Sequence, residues 1–142
     1  MDLTIHNALH DKTLEKVNLG IKDGKIEVVS TEEINPGSQS IDALGAMVSP
    51  ALVEPHFHLE NSVMPEYPNQ SGSLDEAIKI AEEIKDQLTS EDIMRRATIS
   101  LKEAMINGTL WLRDHTDVDQ IAKLDLIEAV FAVREKFKDV IN

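Results

Sequence analysis

The sequence has no cysteine, which removes disulfides, thiolate metal sites and cysteine nucleophiles in one step. It also removes the metal-site signature that pairs H-x-E with P-C-x-x-C. Basic residues are scarce: 14 lysines and arginines stand against 26 aspartates and glutamates, for a net charge of -12 at pH 7. That balance repels phosphate backbones, so nucleic acid is not expected as a partner, while a neutral small molecule stays open. Long apolar runs are missing as well. Met1-Asp2-Leu3-Thr4-Ile5-His6 carries neither a basic region nor an apolar stretch. With no membrane span in the pattern, the expectation is a cytoplasmic protein without a membrane partner. Trp111 is the single tryptophan and is assigned to core volume.

What is present suffices for a core. Hydrophobic residues make up 42% of 142 residues, the size of one domain or of one domain plus part of another. Residues 1–49 read as short strands, with Leu3 and Ile5, then Val17, Leu19 and Ile21, then Ile26 and Val28 alternating with polar residues. Asp23-Gly24 marks a two-residue hairpin turn. His6 and His10 lack partners at ligand spacing and are given structural or solvated roles. After a Pro-, Asn-, Ser- and Gly-rich loop over residues 61–72, Ser73 opens a helix with Glu76 completing a Ser-x-x-Glu capping box. Leu74, Ala77, Ile78, Ala81, Ile84 and Leu88 form one stripe, assigned to core. A second helix opens at Thr89 or Ser90 and stops at Asn107-Gly108. Residues 110–118 read as a strand that turns polar at its end, and a third helix runs from about Asp119 to Phe137. Asp139 to Asn142 is a candidate start of a further strand.

The stretch from Pro50 to Glu60 holds the chemistry. It reads as a buried apolar strand ending in His56-Phe57-His58. Alternation puts Glu54, His56, His58 and Glu60 on one side. Two imidazoles on one face can offer two nitrogens to a transition metal. Two surface histidines on an edge strand would show the same spacing.

Val48-Ser49-Pro50 and Val53-Glu54-Pro55-His56-Phe57-His58-Leu59-Glu60, following the β-rich segment, resemble the amidohydrolase superfamily and within it the bacterial cytosine deaminase group. Asn69-Gln70-Ser71-Gly72, Leu101 through Asn107-Gly108, and Arg113-Asp114-His115-Thr116-Asp117-Val118 extend the resemblance over essentially the whole chain. It implies an α/β fold in two parts. Residues 1–49 would be N-terminal strands of a small β-sandwich, completed in the family by C-terminal strands. Residues 50–142 would be the first two βα units of a TIM-like (β/α)8 barrel, left incomplete. By the same resemblance, His56 and His58 are first-strand ligands of a divalent metal, zinc or iron. The family's other ligands and its acid/base residues come later: a histidine after the fifth strand with a glutamate beside it, a histidine after the sixth, and an aspartate after the eighth. None can be matched within residues 1–142, so the catalytic residues stay unassigned. Glu60 stands where the family often has aspartate.

Two further residues are substrate-binding candidates. Gln70 can hydrogen-bond a base edge, although an ordinary loop amide looks identical. His115 ends the second strand beside Asp114 and Asp117 and either faces substrate, orients a ligand or is simply solvated. The activity implied is hydrolysis of a non-peptide C–N bond, as in deamination of a nucleobase or related heterocycle, with a metal activating water and a carboxylate and a histidine moving protons. Cyclic amide hydrolysis and deacetylation share the same first strand. A non-catalytic module, split or degenerate, that folds with a partner chain is the remaining alternative. A full barrel needs roughly 200 residues or more, and two strands leave open edges. The expectation for the chain alone is therefore little or no turnover, and a complementing chain or a second copy as partner alongside the small heterocyclic substrate.

Overall fold

The computed structural model describes residues 1–118 and 120–142. They form two compact units, Met1–Pro50 and Ala51–Asn142.

The first unit is a mixed sheet. Its strands are β1 (Leu3–His10), β2 (Lys16–Lys22), β3 (Lys25–Ser30), β4 (Gln39–Asp42) and β5 (Met47–Val48). β3, β2 and β1 pair antiparallel in that order, and the free edge of β1 takes β4 and then β5 in parallel. Asp23 and Gly24 both have positive φ, 50° and 71°, so the β2–β3 turn follows the hairpin chemistry of the Asp-Gly pair. Asn7 bulges out of β1 at φ 58°. Ala8, Val17 and Leu19 make a small core. His6 Nε2 lies 3.0 Å from the buried Thr4 hydroxyl, and His10 Nδ1 accepts the Lys12 N–H at 3.2 Å.

The second unit holds β6 (Leu52–Phe57), α1 (Leu74–Ile84), α2 (Ser90–Ile106), β7 (Thr109–Asp114) and α3 (Asp125–Phe137). β6 and β7 pair in parallel, with Val53 opposite Trp111 and Phe57 opposite Asp114. Asn142 donates to the Leu110 carbonyl at 2.9 Å and accepts from the Leu112 N–H at 2.8 Å, the bonding pattern of a parallel neighbour on the other edge of β7. α2 and α3 cover one face of this sheet. Ile93, Ala97 and Leu101 of α2 meet Leu126, Ala129, Val130 and Val133 of α3, with Phe57 and Leu112 packed against them from the strands.

Local signals fare well, and burial expectations less so. Ser73 accepts the Glu76 N–H at 3.2 Å and Thr89 accepts the Asp92 N–H at 3.2 Å, while Gly108 ends α2 at φ 90°. The capping box is only half made. The Glu76 carboxylate takes the Ser71 hydroxyl and the Ser71 and Gln70 N–H groups instead, and these bonds hold its pKa below the ordinary value. The stripe is core only at its C-terminal end: Ile84 is buried and Leu88 packs against the core, whereas Leu74 is 74% exposed and Ile78 is exposed too. β6 is not a buried strand, since Val53 is 66% exposed, nor does Trp111 fill core volume, being 54% exposed. Val53 and Trp111, opposite one another across the two strands, share one cause, the absence of a covering layer on their side of the sheet among the described residues. The third helix begins at Asp125. Lys123 sits at φ 51°, a conformation no right-handed helix admits, and the expected start at Asp119 lies outside the described residues.

Candidate metal centre

β6 hands over to a single 3-10 turn at its C-terminal end. His58 has φ -129° and ψ 87°, and Leu59–Asn61 follow as the turn. Strict alternation therefore stops short of Glu60. It is already disturbed inside β6 by a register shift between Glu54 and Phe57, where the Glu54 carboxylate turns back to accept the His56 N–H at 3.0 Å.

The two histidines still converge. His56 Nε2 and His58 Nε2 lie 3.1 Å apart. The His115 ring, from the end of β7, stacks on His56 at 4.2 Å between centroids and lies 6.1 Å from His58. Three imidazoles thus meet at the adjoining C-terminal ends of two parallel strands, the face on which barrel enzymes carry out chemistry. Gln70 is exposed in the loop, with its backbone N–H held by Glu76 at 3.0 Å.

Beneath the histidines lies Glu60, fully buried. Its Oε1 is 3.5 Å from His58 Nδ1, near enough for charge attraction but longer than a good hydrogen bond. Burial pushes the Glu60 carboxyl above its ordinary value, against the pull of backbone N–H groups and of His58. Glu60 Oε2 and His58 Nδ1 are buried with no hydrogen-bond partner among the described residues. Asp117 completes a group of three potential ligand residues with His58 and Glu60, their donor atoms all within 4.8 Å of one another.

His58 therefore looks two ways, through Nε2 to His56 and through Nδ1 to the carboxylates. The Nε2 side fits a metal better. Nitrogens bound to one zinc at about 2.0–2.1 Å each can be no more than roughly 4.2 Å apart, and the observed pair meets this while remaining accessible. On the Nδ1 side, Asp117 is already engaged with Lys85 at 3.2 Å, and a buried carboxylate behind a metal-binding imidazole is the usual means of orienting it.

Two more residues hold this end in place. Asp114 Oδ1 accepts the Leu59 N–H at 2.8 Å, and the His115 N–H donates to the Phe57 carbonyl at 2.8 Å. Arg96 reaches up from α2, buried, and donates to the carbonyls of Glu60 and Ser62 while its Nε binds Asp92 at 2.7 Å. Arg96 escaped the sequence reading. Its signal was present: it lies at i+3 from Ile93 on the same stripe as Ala97, Ser100 and Leu101, and a charged residue within an apolar stripe must be paired.

No protein-family model matches the chain. N-isopropylammelide isopropyl amidohydrolase of Pseudomonas sp. (strain ADP) is 30% identical over 147 residues, which cover 99% of this chain and 36% of that protein. A crystal structure of 5-methylcytosine deaminase from Klebsiella pneumoniae, liganded with 5-fluorocytosine, superposes with a TM-score of 0.83 at 30% identity over 97% of this chain and 34% of that one. Atrazine chlorohydrolase TrzN from Arthrobacter aurescens TC1, solved in complex with zinc, superposes at 0.69 with 19% identity over 96% of this chain and 34% of that one, a likeness of fold. The chain spans about a third of the length of each.

Proposed function

The chain belongs to the amidohydrolase superfamily, as its N-terminal portion, and on that premise we propose that His56 and His58 supply two nitrogen ligands to a divalent metal, zinc or iron, in a hydrolase that cleaves an exocyclic C–N bond of a neutral heterocycle of the cytosine type. The observation that carries this reading is the 3.1 Å approach of the two Nε2 atoms at the end of β6. When bound, the metal contributes Lewis acidity and lowers the pKa of water.

The chain's own residues prepare that position. Glu60, 3.5 Å from His58 Nδ1, favours the tautomer with the proton on Nδ1 and leaves the Nε2 lone pair free. His115, stacked on His56, limits rotation of that ring. Asp114 and Arg96 fix the backbone on either side of Leu59, so both imidazoles are held before any ligand arrives. Deamination is supported over other hydrolyses by the likeness to 5-methylcytosine deaminase, which runs over 97% of this chain.

Zinc titration of the chain by calorimetry is the test. One zinc per chain is expected, with affinity falling about tenfold or more in His56→Ala and in His58→Ala. Equal zinc binding by both variants would overturn the assignment. The reaction class is read separately, on the chain joined by the complementing part of the barrel, as ammonia released from cytosine rather than a carboxylate formed from a cyclic amide.

A further inference from the structure

α1 keeps an apolar stripe that the core uses only at its C-terminal end. Leu74 and Ile78 are exposed, at 74% and 48%, although apolar residues this prominent on a short helix are usually covered. They line a cavity of about 350 Å3 whose other side is formed by His58 and Asp117, at the C-terminal strand ends, and by Met64 from the loop. That volume lies in the range of small-molecule sites. The wall is also held in place before a ligand arrives, because Ser73 caps α1 and Glu76 ties its first turn to the loop at Gln70 and Ser71.

We propose that this cavity is a substituent subsite: the ring of a neutral heterocycle sits towards His58, and an apolar substituent on it packs against Leu74 and Ile78. The inference rests on the placement of the reacting centre at His56 and His58. The ligand's charge follows from the lining. Among the lining residues Lys85 is paired with Asp117 at 3.2 Å, Glu82 adds an acidic group, and the whole chain carries a net charge of -12. An anionic ring would meet no uncommitted positive charge among the lining residues and is disfavoured. An alkyl group, in contrast, gains from leaving water against a wall that has no other occupant among the described residues.

The experiment titrates the full 15N-labelled 142-residue chain with cytosine, N4-isopropylcytosine and orotate, each with and without zinc, while following its amide spectrum. The isopropyl compound is expected to bind about tenfold more tightly than cytosine and to shift the amides of residues 74–81 and Met64. Orotate is expected to leave these signals unmoved. Leu74→Glu, at an exposed position that folding does not depend on, and Ile78→Ala should each remove most of the advantage of the isopropyl group. Equal binding of the two neutral compounds overturns the subsite, as does an unchanged advantage in both variants or shifts confined to residues away from α1. A chain that binds no zinc yet maps the isopropyl group to α1 refutes the metal assignment and leaves the subsite intact. Zinc binding without substituent preference does the reverse.

Discussion

The two faces of the β6–β7 sheet are covered very differently. On the helix side, Phe57 and Leu112 pack into a continuous core with α2 and α3. On the other side Val53 and Trp111, paired across the strands, remain exposed. The histidine cluster sits at the end where these faces meet. The contacts from Asp114, from Arg96 and from the buried Glu60 come from the strand ends and the helix side. The covered face thus supplies the buried part of the site's support, while the exposed Val53 and Trp111 make none of these contacts.

That contrast breaks most visibly in the core. Ile93 has 0% exposure and lies between α2 and α3. Ile93→Ala should cost about 2–5 kcal/mol, lost burial and residual cavity together, read as a lower urea midpoint with the slope unchanged. A loss below about 1 kcal/mol would show that the covered face is not what stabilises the unit.

Much of this architecture was legible in the sequence, and the reason is locality. Ser73, Thr89 and Gly108 mark helix ends through bonds and dihedrals within a few residues of themselves, so their chemistry reads directly. The Asp23-Gly24 turn is legible for the same reason. The convergence of His56 and His58 needed only strand geometry. What could not be read was coverage. Periodicity shows that Leu74 and Ile78 share a face of α1, and that Val53 belongs to an apolar strand, but not whether anything lies opposite. Trp111 was misplaced for that reason. Glu60 was misplaced for another: a 3-10 turn after His58 turns it inward, and no residue type announces so short a turn. The late start of α3 follows from one backbone angle at Lys123, a residue whose type carries no turn signal.

The comparison is sharpened by Arg96, which joins the covered face to the site. Arg96→Met preserves much of the apolar stem and removes the donors, leaving the Glu60 and Ser62 carbonyls without a partner. A cost of about 1–3 kcal/mol is expected, smaller than for Ile93 because Asp92 is part-exposed and water can take over its charge. Zinc affinity should fall by about tenfold, because the turn that follows His58 loosens. Stability lost with zinc affinity unchanged would make Arg96 a packing residue only.

The open face offers the mildest and most selective test. Trp111, 54% exposed beside Val53, makes an apolar surface that costs little to alter in the monomer, since surface substitutions mostly stay within about 0.5 kcal/mol. The same surface has reason to leave water, and we propose that it draws in a complementing chain or a second copy. Sedimentation of the wild-type chain should give a mass that rises above 15.8 kDa with concentration. Trp111→Lys should hold it near the single-chain mass while leaving the urea midpoint in place. A wild-type chain that stays at the single-chain mass throughout would remove a second copy as the partner on this face. A Trp111→Lys variant that loses stability like Ile93→Ala would show that the open face is structural after all, and the contrast between the two sides would go with it.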